Sequence, residues 1–144
     1  MKSYFPDVNV WLALVYSGHV HHPPAAEWFI RLEHEKLHFC RFTQVAFLRL
    51  LTHPSVMRED VRNQRDAWQT YDELLGDDRV SLLAEPDPDE VDKTFRTLTS
   101  TRHAAPQQWA DAYLAAFAHA ADLTLVTFDR ALRELAPGGA LLLA

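Results

Sequence analysis

Asp7, Asp111 and Asp129 are the side chains in this sequence best placed to do chemistry as a group. Each falls where one structural element should give way to the next, although more than a hundred residues separate the first from the other two. Carboxylates brought within roughly 4–6 Å of one another repel, and some of their pKa values rise, so such groups seldom occur without a compensating cation. A hard divalent ion resolves the conflict. Mg²⁺ or Mn²⁺ prefers oxygen donors, keeps several waters and takes one or two carboxylates directly. An ion of this kind can polarise a phosphoryl oxygen, stabilise the departing oxygen and supply hydroxide near neutral pH, which is the chemistry of phosphodiester hydrolysis. Singly, each aspartate has a plainer explanation. Asp7 and Asp129 suit helix N-caps, and Asp111 suits the positive end of a helix dipole. As a set of three they point to a metal.

The elements that must position these acids are readable from hydrophobic period and turn residues. Ser3–Phe5 reads as a strand stopped by Pro6, and Val8–Tyr16 as a helix with Asp7 at the junction. A second helix spans Ala25–Glu35 after His22-Pro23-Pro24, a strand spans Leu37–Cys40, and a third helix spans Thr43–Thr52 and ends at His53-Pro54. An amphipathic helix over Val61–Leu75 closes at Gly76, and a strand follows at Val80–Ala84. The segment from Glu85 to Glu90, EPDPDE, then opens a further helix. Pro106 fits the first turn of a helix over Gln107–Asp122, which carries Asp111. On that helix Ala115 and Ala118 share the side of Asp111, so their small side chains should leave room at the acid. Thr124–Phe128 then reads as a strand, Arg130–Leu135 as a short helix and Gly139–Ala144 as a closing strand. Strands alternating with helices imply a mostly parallel sheet in a three-layer α/β/α domain covering residues 1–144. In such a sheet, reactive groups collect outside the carboxyl ends of the strands.

Composition narrows the classes. The chain has 144 residues, 48% of them hydrophobic and 24% charged, enough apolar material for the core of one domain. With 14 Lys and Arg against 20 Asp and Glu, the formal net charge is −6, so the protein is not a bulk nucleic-acid binder working through a basic field. Metal-filled carboxylates would remove that objection locally. The single cysteine, Cys40, cannot form an internal disulfide, which suits a reducing compartment. The start, MKSYFPDVNV, lacks the order of a signal peptide, and no apolar run reaches the roughly 20 residues of a membrane span, so a cytoplasmic protein is expected. The patterns G-x-G-x-x-G, G-x-x-x-x-G-K-[ST] and G-x-S-x-G are absent, leaving dinucleotide, P-loop and hydrolase-elbow chemistry unsupported.

Three stretches, FPDVNVWLAL, TQVAFLRLLTHPSV and WADAYLAAFAHAADLTLVTFDRAL, together give the chain a strong resemblance to PIN-domain ribonucleases, and within them to VapC-type toxins. The resemblance implies that Asp7, Asp111 and Asp129 are the metal-binding and catalytic acids. It also implies that Asn9 supports the first of them and that Thr127 is the hydroxyl residue two positions before the last. With it come Mg²⁺-dependent RNA cleavage, a homodimer, and a cognate VapB-type antitoxin whose tail fills the site. One departure stands out. The family's usual third-helix Glu would fall near Ala46, and residues 42–52 contain no acid, so Gln44 is the nearest metal-capable oxygen. That absence motivates the alternative of a catalytically impaired PIN-like module that binds protein or RNA, and it predicts a high metal requirement.

Arg41, Arg102, His103 and Arg130 flank the acidic segments and are candidates for RNA contact, while Arg49 suits a structural ion pair better. His19, His21 and His22 cluster, but a zinc site lacks a fourth ligand, so they are expected in a loop and helix start. Trp11, Trp28, Trp68 and Trp109 are expected as core or interface anchors, and Asp122 as a solvated helix-end charge.

Overall fold

The structure, a computed structural model, describes residues 2–144. Five strands form one sheet: β1 (Ser3–Pro6), β2 (Lys36–Cys40), β3 (Val80–Leu83), β4 (Thr124–Thr127) and β5 (Leu141–Leu142). All pairings are parallel, in the order β3-β2-β1-β4-β5, with Tyr4 opposite Leu37 on one side and Thr124 on the other. Period-two alternation splits the strand side chains between two cores. Tyr4, Leu37, Phe39 and Val126 face one way, while Phe5, Cys40 and Leu125 face the other.

The first core is covered by α1 (Val8–Val15), α2 (His22–Arg31), α3 (Arg41–Leu51), α4 (Pro54–Met57) and α5 (Gln64–Leu75). The second is covered by α6 (Pro88–Leu98), α7 (Trp109–Ala120) and α8 (Arg130–Leu135). This is the three-layer α/β/α arrangement expected from the sequence. Trp11 is buried flat against Phe39, with ring centroids 3.9 Å apart, and Trp28 meets Tyr4 edge-on at 5.4 Å. Trp68 and Trp109 are not core residues, being 47% and 54% exposed.

Several boundaries differ from expectation, each for a local reason. Pro23 and Pro24 sit inside the first turn of α2, where no amide donor is needed, so the helix starts at His22 and ends at Arg31 as Leu32 turns extended. His53 caps a separate short turn, α4, its ring nitrogen accepting the Ser55 amide at 3.2 Å. Asn63, not Val61, begins α5, by accepting the Asp66 amide at 2.8 Å. Pro106 opens a 3₁₀ turn, Pro106–Gln108, that leads into α7. Gly138 and Gly139, at φ of 76° and 83°, turn the chain so that β5 is confined to Leu141–Leu142.

The connection reverses direction at β1, because the chain runs outward through β2 and β3 and then returns to pair β4 on the other side of β1. A crevice therefore opens outside the carboxyl ends of β1 and β4, the usual ligand position in such sheets. At the opposite end, Arg79 staples the loops. Its guanidinium makes two bonds to Asp77, at 2.9 and 2.7 Å, donates to Leu32 O at 3.1 Å and lies 4.4 Å over the Phe29 ring. The hydrogen bonds and charge of Arg79 hold the Asp77 carboxyl down at about 2. A depressed carboxylate stabilises the fold above its unfolded value and loses that contribution as pH falls through the folded one. Asp77→Asn is therefore expected to lower stability by about 1 kcal/mol at pH 7 in urea titrations, with the gap narrowing between pH 4 and pH 2. An equal gap at both ends would contradict this.

Candidate active site

Asp7 is the residue immediately beyond β1, and its backbone amide extends the ladder to β4 by donating to Val126 O at 2.9 Å. That bond carries the aspartate into the crevice at the carboxyl edge, where it is only 8% exposed. Its Oδ1 accepts the Val10 amide at 3.1 Å, capping α1, and its Oδ2 accepts the Thr127 hydroxyl at 2.5 Å. Thr127 is fully buried, and the same Oγ1 accepts the Asp129 amide at 3.0 Å. One hydroxyl thus joins two of the acidic positions. Asp129 caps α8, its Oδ1 accepting the Ala131 amide at 2.8 Å. The capping explanation and the site explanation hold together for both residues, since a cap uses one carboxylate oxygen.

Asp111 lies in the first turn of α7, half-buried. Ala115 and Ala118 do not open a space beside it. They are buried in the second core with Phe5 and Leu125, where their small size lets α7 lie close to the sheet and brings Asp111 toward the strand ends. Burial is the main cause that raises Asp7 to about 6, with the charge of Asp111 adding to it and the Thr127 and Val10 bonds opposing it. Asp111 is raised in turn by burial and then by Asp129. The three carboxylates lie in one another's field, and among the described residues none of them forms a salt bridge.

This hard-oxygen donor set, carrying negative charge that no basic side chain offsets, fits a divalent cation in kind. Among the described residues, no three His, Cys, Asp or Glu side chains are closed around a single metal-sized point. Mg²⁺ keeps most of its waters and needs only one or two direct carboxylates, so the set can serve such an ion without three side chains meeting at one point.

The remaining candidates separate. Asn9 is exposed and lines an open cleft of about 450 Å³ with Asp7, His19, His21, Thr127, Phe128 and Asp129. Its backbone amide, rather than its side chain, helps hold Asp7. Gln44 is buried, and its Oε1 accepts from Arg41 Nη1 at 2.6 Å, a bond within α3. Arg41, Arg102, His103 and Arg130 are all exposed, Arg102 and His103 in the loop after α6 and Arg130 at the start of α8 beside Asp129. Arg49 is exposed and, among the described residues, makes no ion pair, contrary to the expectation of a structural pair. Asp122 is exposed at φ 55°, ending α7 in the left-handed region that Asp tolerates.

Two residues at the cleft were missed as site residues. His19 and His21 read as a loop, which is correct, but nothing in a loop assignment says which cleft the loop overhangs. The His-rich run beside a helix start was the available signal. Burial and the neighbouring His21 and His22 lower the pKa of His19.

Raising a buried acid has a stability consequence. The folded chain holds a proton on Asp7 between its ordinary value of 3.8 and about 6, where the unfolded chain has released it. Stability from that proton is complete below pH 4 and is lost as pH rises through 6. Asp7→Asn keeps the cap and removes the buried charge. In EDTA at pH 7 the variant is expected to be more stable than wild type by on the order of 2 kcal/mol, with the difference gone at pH 4. Melting curves at the two pH values check this, and a less stable variant at pH 7 would contradict it.

Known proteins resemble this chain in sequence and fold. The PIN domain family matches residues 4–137. Ribonuclease VapC41 of Mycobacterium tuberculosis is 41% identical over 132 residues, spanning 89% of this chain and 90% of that protein. Among solved structures, M. tuberculosis VapC20, described as a sarcin–ricin loop cleaving toxin, aligns with a TM-score of 0.63 at 16% identity, over 90% of this chain and 92% of its own. FitAcB from Neisseria gonorrhoeae aligns with a TM-score of 0.61 at 18% identity, over 96% of each chain. The two structures show the shared fold. The family match over most of the chain and the identity to VapC41 go further, and on them this chain belongs to the PIN-domain family.

Proposed function

We propose that the protein is a divalent-metal-dependent endoribonuclease, the toxin of a VapBC-type toxin–antitoxin pair. The observation that carries this is the linkage of Asp7 and Asp129 through the Thr127 hydroxyl at the β1–β4 crevice, with Asp111 inside their field and, among the described residues, no salt bridge to any of the three. VapC41 is named a ribonuclease and VapC20 a sarcin–ricin loop cleaving toxin, which supports RNA as the substrate class. A homodimer and a cognate VapB-type antitoxin belong to the same reading. No helix of the described residues is long and apolar enough to cross a membrane, consistent with work on a cytoplasmic RNA.

Asp7, Asp111 and Asp129 would hold the cation, Mg²⁺ with Mn²⁺ as a substitute. When bound, it supplies positive charge to the phosphoryl oxygens and lowers the pKa of water. The chain's own residues prepare for that. Thr127 fixes the orientation of Asp7 by donating to Oδ2, and the amides of Val10 and Asn9 favour the ionised form that a cation requires. With Asp7 titrating at about 6, the carboxylate is mostly ionised at neutral pH but only just, so activity should fall steeply on mild acidification. Arg41, Arg102, His103 and Arg130 are exposed around this edge and are proposed to contact the RNA backbone, offsetting the overall charge of −6 locally. With Ala46 apolar and Gln44 tied to Arg41, three carboxylates must serve alone, so metal binding should be weak.

Incubating purified protein with total RNA and Mg²⁺ should give fragments that EDTA suppresses. Asp7→Asn, Asp111→Asn and Asp129→Asn should each reduce cleavage by on the order of a hundredfold or more while retaining the folded circular dichroism spectrum. Half-maximal activity should need Mg²⁺ on the order of millimolar. Chelator-resistant cutting, or full activity in any of the three variants, would sink the assignment.

A further inference from the structure

Of the three histidines at the entry to α2, His19, His21 and His22, two are committed to holding the turn. His22 Nδ1 donates to Ala13 O at 2.6 Å, pinning the loop to α1, and His19 Nδ1 accepts the His21 backbone amide at 3.0 Å. Backbone bonds from His19 N to Tyr16 O and from His22 N to His19 O, both 3.0 Å, complete a rigid turn. His21 is different. Among the described residues its ring makes no hydrogen bond, and although it stands at the N-cap position of α2 it makes no side-chain cap bond. The ring lies instead 4.4 Å from Phe128, with 26° between the planes. It is half-buried, and it lines the cleft that contains Asp7, Asn9, Thr127 and Asp129.

His22 spends Nδ1 on the Ala13 carbonyl, whereas the half-buried His21 ring keeps its nitrogens free at the cleft and so stands available to a ligand there. Phe128 supplies the backing. It packs on the first core with its backbone just past β4, and so presents the imidazole at a fixed height above the carboxyl edge. A flat π surface of this kind, with free nitrogens, is what recognises an unstacked nucleobase. Resting on the ribonuclease reading above, we propose that His21, backed by Phe128, is a specificity-determining platform on which the base of an RNA nucleotide next to the scissile phosphate stacks. His19 acts as a positioning residue by accepting the His21 amide. Because the platform needs an unstacked base, it favours single-stranded segments over duplex.

The test compares wild type with His21→Ala and His21→Phe, using a labelled single-stranded RNA of mixed sequence. Binding is read by fluorescence anisotropy in Ca²⁺, and cleavage kinetics in Mg²⁺. His21→Ala should weaken binding and raise KM about tenfold, the loss of one stacked base, with kcat within about twofold. His21→Phe, which keeps the flat ring, should recover most of the loss and covers the case in which the alanine variant fails to fold. Wild type that binds the RNA without cutting it sinks the nuclease reading, and the same binding comparison then still decides the platform. Unchanged binding in His21→Ala, or a His21→Phe variant as weak as the folded alanine variant, overturns the platform even where wild type cuts RNA. Failure of wild type to bind overturns both.

Discussion

Burying a carboxylate at the seam between two parallel strands is costly, and Asp7 is held there by a small set of bonds that leave little freedom. The Thr127 hydroxyl occupies Oδ2, the Val10 amide occupies Oδ1, and the Asp7 amide itself is part of the β1–β4 ladder. Desolvation still wins, pushing the group up to about 6. In the proposed function a proton and a cation would compete for this carboxylate, and the Thr127 hydrogen bond, which favours the ionised form, would weigh against the proton.

The same economy appears at the other acids. Asp129 terminates the β4 connection by capping α8 through Oδ1 while its amide rests on Thr127 Oγ1, so the cap and the site share one piece of backbone. Asp111 stands in the first turn of α7, a helix whose Ala115 and Ala118 are buried in the second core with Phe5 and Leu125. Its charge acts on Asp7, so moving α7 would change the field there.

On the opposite wall of the crevice, the turn from Tyr16 to His22 divides three similar side chains among three tasks. His22 anchors to α1, His19 receives the His21 amide, and the His21 ring is left on Phe128 facing the acids. Neighbouring residues of one type thus end in different chemical situations because the turn fixes where each ring points. The arrangement gives an acidic cleft one aromatic wall.

Much of this was visible in the chain before folding. Short apolar runs rich in β-branched or aromatic residues at 3–5 and 124–128 marked the strands, Pro positions marked helix starts within a few residues, and an aspartate just beyond each of two strands marked the crevice, because all of these depend on neighbours within a turn or two. What could not be read were the contacts between distant segments. Nothing local to Ala115 says that it packs under a helix rather than clearing space beside it. The bond from Thr127 to Asp7 spans 120 positions, and the overlap of His21 with Phe128 brings together a loop and a strand end from opposite ends of the chain. Local preferences are set by backbone sterics and periodic burial, whereas the partner of a given polar atom is set by where the chain returns, and only the folded sheet order specifies that.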